Sequence, residues 1–170
     1  MQHTISILVA NEAGELSRIV GLFSARGFNI ETICVGKTLD PAWSRCTIVT
    51  RGDDRAIEQI IKQCARLARV REARAVTQLP HIEREMALID VSVKAGGERQ
   101  EIMNLVQIFR AKVVDISHEK MILEASGNWQ KVDTFIEMLK PFKINEVTRT
   151  GCVAINRLSP FEQKTEEAAA

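Results

Sequence analysis

Residues 5–35 read ISILVANEAGELSRIVGLFSARGFNIETICV, and this stretch decides the fold. The apolar run Ile5–Val9 predicts a strand, and a turn-forming segment follows it at residues 11–14. Apolar residues then recur at i, i+3, i+4 and i+7, which is typical of one face of an amphipathic helix. These residues are Leu16, Ile19, Val20 and Phe23. Gly27 is expected to close that helix in the left-handed conformation, and residues 28–35 alternate like a half-buried strand.

The pattern continues outward to a complete unit and then repeats. A strand, a helix with Ile57, Ile60, Ile61 and Cys64 on one face, and a last strand at 70–76 complete the order β-α-β-β-α-β. The same order recurs from residue 84. Its predicted elements are strand 87–93, helix 102–109, hairpin strands 112–117 and 121–125, helix 132–139 and strand 144–150.

This repeat predicts an α+β protein made of two tandem ferredoxin-like βαββαβ units. Each unit is expected to pack two helices on one face of a four-stranded antiparallel sheet. The predicted domains are 1–79 and 84–158, with the boundary at Leu79–Glu83, and the polar stretch 159–170 is expected to be a flexible tail.

Composition excludes several classes of function. Among 170 residues, 23 Lys+Arg stand against 22 Asp+Glu, a formal net charge of +1, which argues against a protein that binds bulk nucleic acid. RNA-binding sheets share the β-α-β-β-α-β order, but they need exposed aromatic residues. Residues 44–50, SRCTIVT, contain none. A small-molecule binder, a protein-interaction module and a compact enzyme remain open.

The cysteines, the N-terminus and the histidines narrow the setting and the chemistry. Four scattered cysteines without a CxxC pair, together with a start that lacks a signal peptide, predict a cytosolic protein with reduced, mostly buried thiols. No apolar run approaches the ~18 residues of a membrane span. The three histidines, His3, His81 and His118, lack metal-ligand spacing, so we expect no metal site.

Several strands are apolar on both faces, as in ICV at 33–35 and TIV at 47–49. Such strands need cover on both sides of the sheet. The other unit or a second copy of the chain could provide it, and we therefore expect a homodimer.

The turn between the first strand and the first helix is the best candidate for a ligand site. Free backbone N–H groups at a helix start bind small anions such as carboxylates. Gly14 allows close approach of the backbone, Asn11 offers a donor and an acceptor, and Asn29 is expected opposite them, where its amide could hold an amino group. Purely structural roles are open as well: Asn11 as an N-cap or turn residue, Gly14 as a turn residue and Asn29 at the start of a strand.

The residues G-x-L-x-x-I-x-x-x-F-x-x-x-G-x-N-I at 14–30 resemble the signature of ACT domains, which bind amino acids in regulation. The longer stretch 3–36, with SRCTIVT after it, resembles the small regulatory subunit of acetolactate synthase (acetohydroxyacid synthase). REMALI at 84–89, IFRAKVVD at 108–115 and RTG at 149–151 extend the resemblance, which covers roughly residues 2–158.

The resemblance implies a non-catalytic chain without a cofactor of its own. Its partner would be a large catalytic subunit that holds thiamine diphosphate, Mg and FAD, and that joins two pyruvates, or pyruvate and 2-oxobutyrate. Binding would activate that enzyme and make it sensitive to feedback inhibition by valine in branched-chain amino acid biosynthesis. The alternative is a stand-alone ACT regulator that acts on another protein.

The resemblance also implies an effector site at the interface of two N-terminal units. Its polar contacts would be Asn11, Gly14 and Asn29. The residues lining it would be Ala13, Glu15, Leu16 and Ile30.

This chain departs from its relatives in two places, at Glu15 and in the loop 36–43 that ends at Trp43. A Glu15 that faced the pocket would repel a ligand carboxylate, whereas one pointing to solvent would change nothing. In the second unit the turn 95–97 lacks an asparagine, so we expect no effector there.

Overall fold

The structure is a computed structural model, and it describes residues 1–94 and 96–158. The first unit has six elements in the predicted order. They are β1 (Gln2–Ala10), α1 (Glu15–Ala25), β2 (Ile30–Lys37), β3 (Trp43–Arg51), α2 (Asp54–Cys64) and β4 (Val70–Ala75).

The second unit repeats this order and adds a strand. Its elements are β5 (His81–Ser92), α3 (Glu98–Ile108), β6 (Lys112–Ile116), β7 (Lys120–Gly127), α4 (Trp129–Leu139), β8 (Ile144–Arg149) and β9 (Val153–Asn156). The strand orders are β2-β3-β1-β4 and β6-β7-β5-β8, and all pairs are antiparallel. The predicted α+β fold of two ferredoxin-like units is confirmed.

Each unit has its own apolar core between sheet and helices. In the first unit Ile5, Ile7 and Val9 point to the same face of β1 because side chains alternate along a strand. They pack against Ile19 and Phe23 of α1, and all five side chains are buried.

The helix boundaries follow local rules. Asp53 caps α2 by accepting a hydrogen bond from the Ala56 N–H at 2.8 Å, and Asn128 caps α4 by accepting one from Lys131 N–H at 3.1 Å. Gly27 follows Arg26, the C-cap residue of α1, and has a φ of 70°, which confirms the predicted left-handed conformation.

The link between the units differs from the prediction. Strand β5 begins at His81, inside the stretch 79–83 that was expected to be a boundary, because residues 81–84 pair with β9. Strand β9 was not predicted, since the four residues VAIN are too short to give a clear alternation. The predicted tail 159–170 and Ala95 of the turn 95–97 lie outside the described residues.

The second unit covers part of the open face of the first sheet. The cross-strand pairs Ser6–Thr47 and Thr4–Val49 lie on the face away from the helices, yet all four residues are buried. A cleft of about 460 Å³ lies between the two units. It is lined by Val49 on the side of the first unit, and by residues of β5 and of the β8–β9 connection on the other side. The sheet was expected to be covered either by the other unit or by a second copy of the chain. Within one chain, the other unit provides part of this cover.

Gly151 lies close to the first unit at the contact between the two units, which we call the seam. Its φ is 76°, and a Cβ added there would lie 3.2 Å from the backbone oxygen of Ile33 in β2. Only a glycine combines that conformation with so close a backbone contact.

An ion cluster around the buried carboxylate of Glu85 joins parts of the second unit. Arg149 Nε and Nη2 donate to the two carboxylate oxygens of Glu85, each at 2.7 Å, and Nη1 donates to Asp133 Oδ1 at 2.6 Å. The hydrogen bonds to Glu85, which have the largest effect, and the one to Asp133 raise the pKa of Arg149 above its ordinary value. The cluster joins β5, β8 and α4.

All four cysteines are free, and three of them are buried, as predicted. Burial raises the pKa of Cys46 to about 12, of Cys64 to about 11 and of Cys152 to about 12. These three thiols are therefore neutral at physiological pH.

The described part of the chain contains neither a membrane-spanning helix nor a cluster of metal-ligating side chains. Across residues 1–94 and 96–158, no helix has both the length and the apolar character that crossing a membrane requires. The same residues contain no group of three or more His, Cys, Asp or Glu side chains placed to hold a metal ion.

Candidate ligand site at the start of helix α1

Helix α1 begins without a side-chain cap. Its N-cap residue is Gly14, with φ 89° and ψ −17°, and no side chain accepts a hydrogen bond from the first turn. Helices α2 and α4 have such caps, from Asp53 and Asn128. The first turn of α1 therefore has backbone N–H groups without a side-chain acceptor, and such groups suit a small anion.

Asn11 holds the neighbouring loop against this helix start. Its Nδ2 donates to the Pro41 oxygen at 3.1 Å, and its backbone N–H donates to the Ala42 oxygen at 2.8 Å. Asn11 is thus neither the N-cap of α1 nor a free turn residue. It is exposed, and its side-chain oxygen takes no part in these bonds. Through these two bonds, Asn11 ties the loop 36–43 to the segment that precedes α1.

Glu15 points inward, which excludes the second of the two predicted orientations, the one toward solvent. Glu15 is the first residue of α1 and is only 5% exposed. One carboxylate oxygen, Oε1, accepts a hydrogen bond from Arg18 Nη1 at 2.9 Å, whereas Oε2 is buried without any hydrogen-bond partner. Sequence reasoning missed Arg18, although the i, i+3 spacing of Glu15 and Arg18 is the signal that predicts such a pair.

The inward position of Glu15 rotates α1 relative to the predicted face. The buried residues of α1 are Glu15, Ile19 and Phe23, spaced four residues apart. Leu16, which was predicted to belong to the buried face, is 41% exposed instead. It stands beside Gly14 and the exposed Ala13, where an apolar group of a ligand or of a second chain can reach it.

Asn29 and Ile30 lie at the other end of the sheet. Ile30 pairs with Thr50, and Thr50 pairs with His3 near the beginning of β1. The loop that contains Asn11 follows Ala10, at the end of β1. The seven residue steps from His3 to Ala10 correspond to about 23 Å at ~3.3 Å per residue.

One chain therefore does not bring Asn29 close to Asn11 and Gly14, and the expectation that Asn29 lies opposite them is wrong for a single chain. Asn29 is exposed, and its Nδ2 donates to Glu31 Oε1 at 3.1 Å. Its backbone oxygen accepts a hydrogen bond from Thr50 Oγ1 at 2.6 Å, which fixes the start of β2. Within one chain the predicted site residues thus form two groups, which we call half-sites, at opposite ends of one sheet.

Two βαββαβ units in tandem, with an uncapped helix start after the first strand, define a protein built from ACT-like domains. Comparison with known proteins agrees. Residues 5–72 match the family model described as "AHAS small subunit-like ACT domain", and residues 84–158 match the one described as "Small subunit of acetolactate synthase". The chain belongs to the family of acetolactate synthase small subunits.

Individual relatives match along nearly the whole chain. The acetolactate synthase small subunit of Aquifex aeolicus is 42% identical over 98% of this chain and 86% of its own length. A probable acetolactate synthase small subunit of Archaeoglobus fulgidus is 44% identical over 92% of this chain and 98% of its own. The crystal structure of the small subunit from Thermotoga maritima superposes with a TM-score of 0.86 at 43% identity, covering 93% of this chain and 98% of that one.

Proposed function

We propose that this chain is the regulatory subunit of acetolactate synthase, which activates the thiamine-diphosphate catalytic subunit and makes it sensitive to inhibition by valine. The observation that carries the proposal is similarity to acetolactate synthase small subunits over almost the full length of the chain, at 42% identity. The uncapped start of α1, next to the exposed side chain of Asn11, supports an anionic effector with a hydrogen-bonding group.

The chemistry of the two half-sites suits an amino acid with a branched apolar side chain. Backbone N–H groups of α1 would hold the carboxylate. The side-chain oxygen of an asparagine would accept a hydrogen bond from the ammonium group. Leu16 at one half-site and Ile30 at the other would contact the isopropyl group, because ligand sites are mostly apolar with a few placed polar groups.

The distance between the half-sites requires two chains. A free amino acid is about one residue long, ~3.5 Å along a chain. It therefore cannot span the length of β1 that separates Asn11 from Asn29. The effector site combines Asn11 and Gly14 of one protomer with Asn29 and Ile30 of its partner in a homodimer.

A reconstitution experiment tests the function. The chain is mixed with an acetolactate synthase catalytic subunit, and valine is titrated while product formation is followed. We expect activation by the wild type, with inhibition by valine. Couplings of this kind are typically ~1–3 kcal/mol, or ~5–150-fold. Absence of activation, or consumption of pyruvate by the isolated chain, would contradict the proposal.

Variants of the helix start test the site. Asn11→Ala removes the amide, and Gly14→Asp places a negative charge where a ligand carboxylate would bind, in a left-handed backbone. Both are expected to keep activation and to abolish inhibition by valine. Gly21→Asp is the matched control, since Gly21 lies on α1 with open space around it. Unchanged inhibition in both site variants would remove this site.

A mixing experiment tests whether two chains form the site. In a heterodimer of Asn11→Ala and Asn29→Ala chains, one site carries both substitutions and the other carries neither. Mixing two variants that are each insensitive to valine should therefore restore inhibition in part. Failure to restore any inhibition, with heterodimers present, would mean that a single chain supplies both amides.

The alternative, a stand-alone ACT regulator that acts on another protein, gives a different result in the same assays. Valine would bind the isolated chain, but the chain would neither activate the catalytic subunit nor change its response to valine.

A further inference from the structure

Glu15 carries an acceptor that the chain itself leaves unused. Its side chain is about 95% buried, and Oε1 is bonded to Arg18 Nη1 at 2.9 Å. Oε2 is also buried and has no hydrogen-bond partner. Buried carboxylate oxygens without a partner are rare in folded proteins, because they lose their hydration without replacing it. This oxygen lies in the first residue of α1, next to the uncapped helix start.

The chemistry of this oxygen defines the group that would satisfy it. An ionised carboxylate only accepts hydrogen bonds, so its partner must be a donor, and a cationic donor gives the strongest bond. Arg18 balances the charge of Glu15, so the pair adds no net charge that would repel the carboxylate of a ligand bound at the helix start.

We propose that Glu15 Oε2 accepts a hydrogen bond from the α-ammonium group of the effector. The site would then select free amino acids over carboxylic acids and 2-oxo acids that carry the same side chain. This inference rests on the proposed function and adds to it a residue that determines specificity.

The ammonium group can reach Oε2 only after a shift of the residues around it, because this oxygen is closed to solvent. The turn is suited to such a shift. Glu12, Ala13 and Gly14 are exposed, and Gly14 has the left-handed backbone of a turn. The hydrogen bonds from Asn11 to the loop at 41–42 hold the near end of the turn in place.

Calorimetric titration of the full chain tests the inference with two ligands that differ in one group. L-Valine carries the ammonium group, and 3-methylbutanoate has the same carboxylate and isopropyl groups without it. For Glu15→Gln we expect valine affinity to fall roughly 10- to 100-fold, the range for a hydrogen bond to a charged group. The affinity for 3-methylbutanoate should not fall, because this ligand has no ammonium group that Glu15 could bind. Glu15→Ala, which places a small residue there, serves if the glutamine variant folds poorly.

Glu58→Gln is the matched control, since it removes an equal charge from α2 of the same unit, away from the turn. Glu58 is exposed, and its carboxylate lies 2.8 Å from Lys62. This variant should discriminate between the two ligands as the wild type does.

Three outcomes overturn the inference. The first is wild-type discrimination in both Glu15 variants. The second is a wild type that binds valine no better than 3-methylbutanoate, which leaves the proposed function intact. The third is a Glu15 variant that weakens dimerisation in sedimentation experiments without changing discrimination, because the second copy would then satisfy the oxygen. Absence of valine binding to the wild type would instead reject the proposed effector and this inference together.

Discussion

Replacing Arg149 with methionine should destabilise the second unit more than any loss of a surface ion pair. Glu85 is 4% exposed, and both of its oxygens accept hydrogen bonds from Arg149 at 2.7 Å. Removing the guanidinium group leaves a buried negative charge without a partner. Breaking a buried pair in this way costs about 3–5 kcal/mol. The Arg149 side chain is 34% exposed, so water partly replaces it, and we expect about 2–3 kcal/mol.

Urea unfolding monitored by tryptophan fluorescence can measure this change in the unit concerned. Trp129 begins α4, four residues before Asp133, and lines the cleft next to Arg149. Trp43 belongs to the first unit, so a Trp43→Phe background makes Trp129 the only tryptophan. With slopes of ~1–3 kcal/mol per molar urea, the expected loss lowers the midpoint by about 0.7–3 M.

Two further variants make the reasoning refutable. Lys112→Met breaks an exposed pair with Glu124 at 3.8 Å and should cost less than about 0.5 kcal/mol. The double variant Glu85→Met/Arg149→Met should be more stable than Arg149→Met alone, since it removes the unpaired charge. The reasoning fails if Arg149→Met costs no more than Lys112→Met, or if the double variant is the less stable of the two.

Two other predictions concern the seam and the thiols. Gly151→Ala should lower the melting temperature more than Gly27→Ala. Both glycines have a positive φ, but only at Gly151 would the added Cβ lie 3.2 Å from a backbone oxygen. Equal shifts in melting temperature would mean that the backbone at the seam moves aside at no cost. The free energy of unfolding should fall as the pH rises above about 9, at roughly 1.4 kcal/mol per pH unit for each thiol whose pKa burial raises in the folded state. The sign follows because the unfolded chain loses these protons first, and alanine replacement should flatten the urea-unfolding profile between pH 8 and 10.5. These thiols belong to Cys46, Cys64 and Cys152.

Most of the fold was predictable because each element has a strong local pattern. Periods of two and of three to four residues in the apolar pattern indicate strands and helices directly. Strand β9 lacked such a signal, since its four residues become a strand only by pairing with residues 81–84 of β5. That pairing joins positions about 70 residues apart, which no local pattern reports.

The site was less predictable, for two physical reasons. Hydrophobic periodicity assigns charged residues to the surface, so it placed Leu16 inside and did not foresee the burial of Glu15. An ion pair with Arg18 makes that burial possible, and such pairing depends on the folded backbone. The separation of Asn11 from Asn29 depends on strand order and register, which the residues near each asparagine do not determine.

The proposed division of the effector site between two chains has a consequence for how regulation would depend on protein concentration. A site divided between two chains makes effector binding inseparable from association, so each must strengthen the other by the same factor. Dilution below the dimer dissociation constant would remove sensitivity to the effector without any change in sequence, and excess effector would restore the dimer. The amount of this chain in the cell would thus set the threshold of the feedback along with the amount of effector.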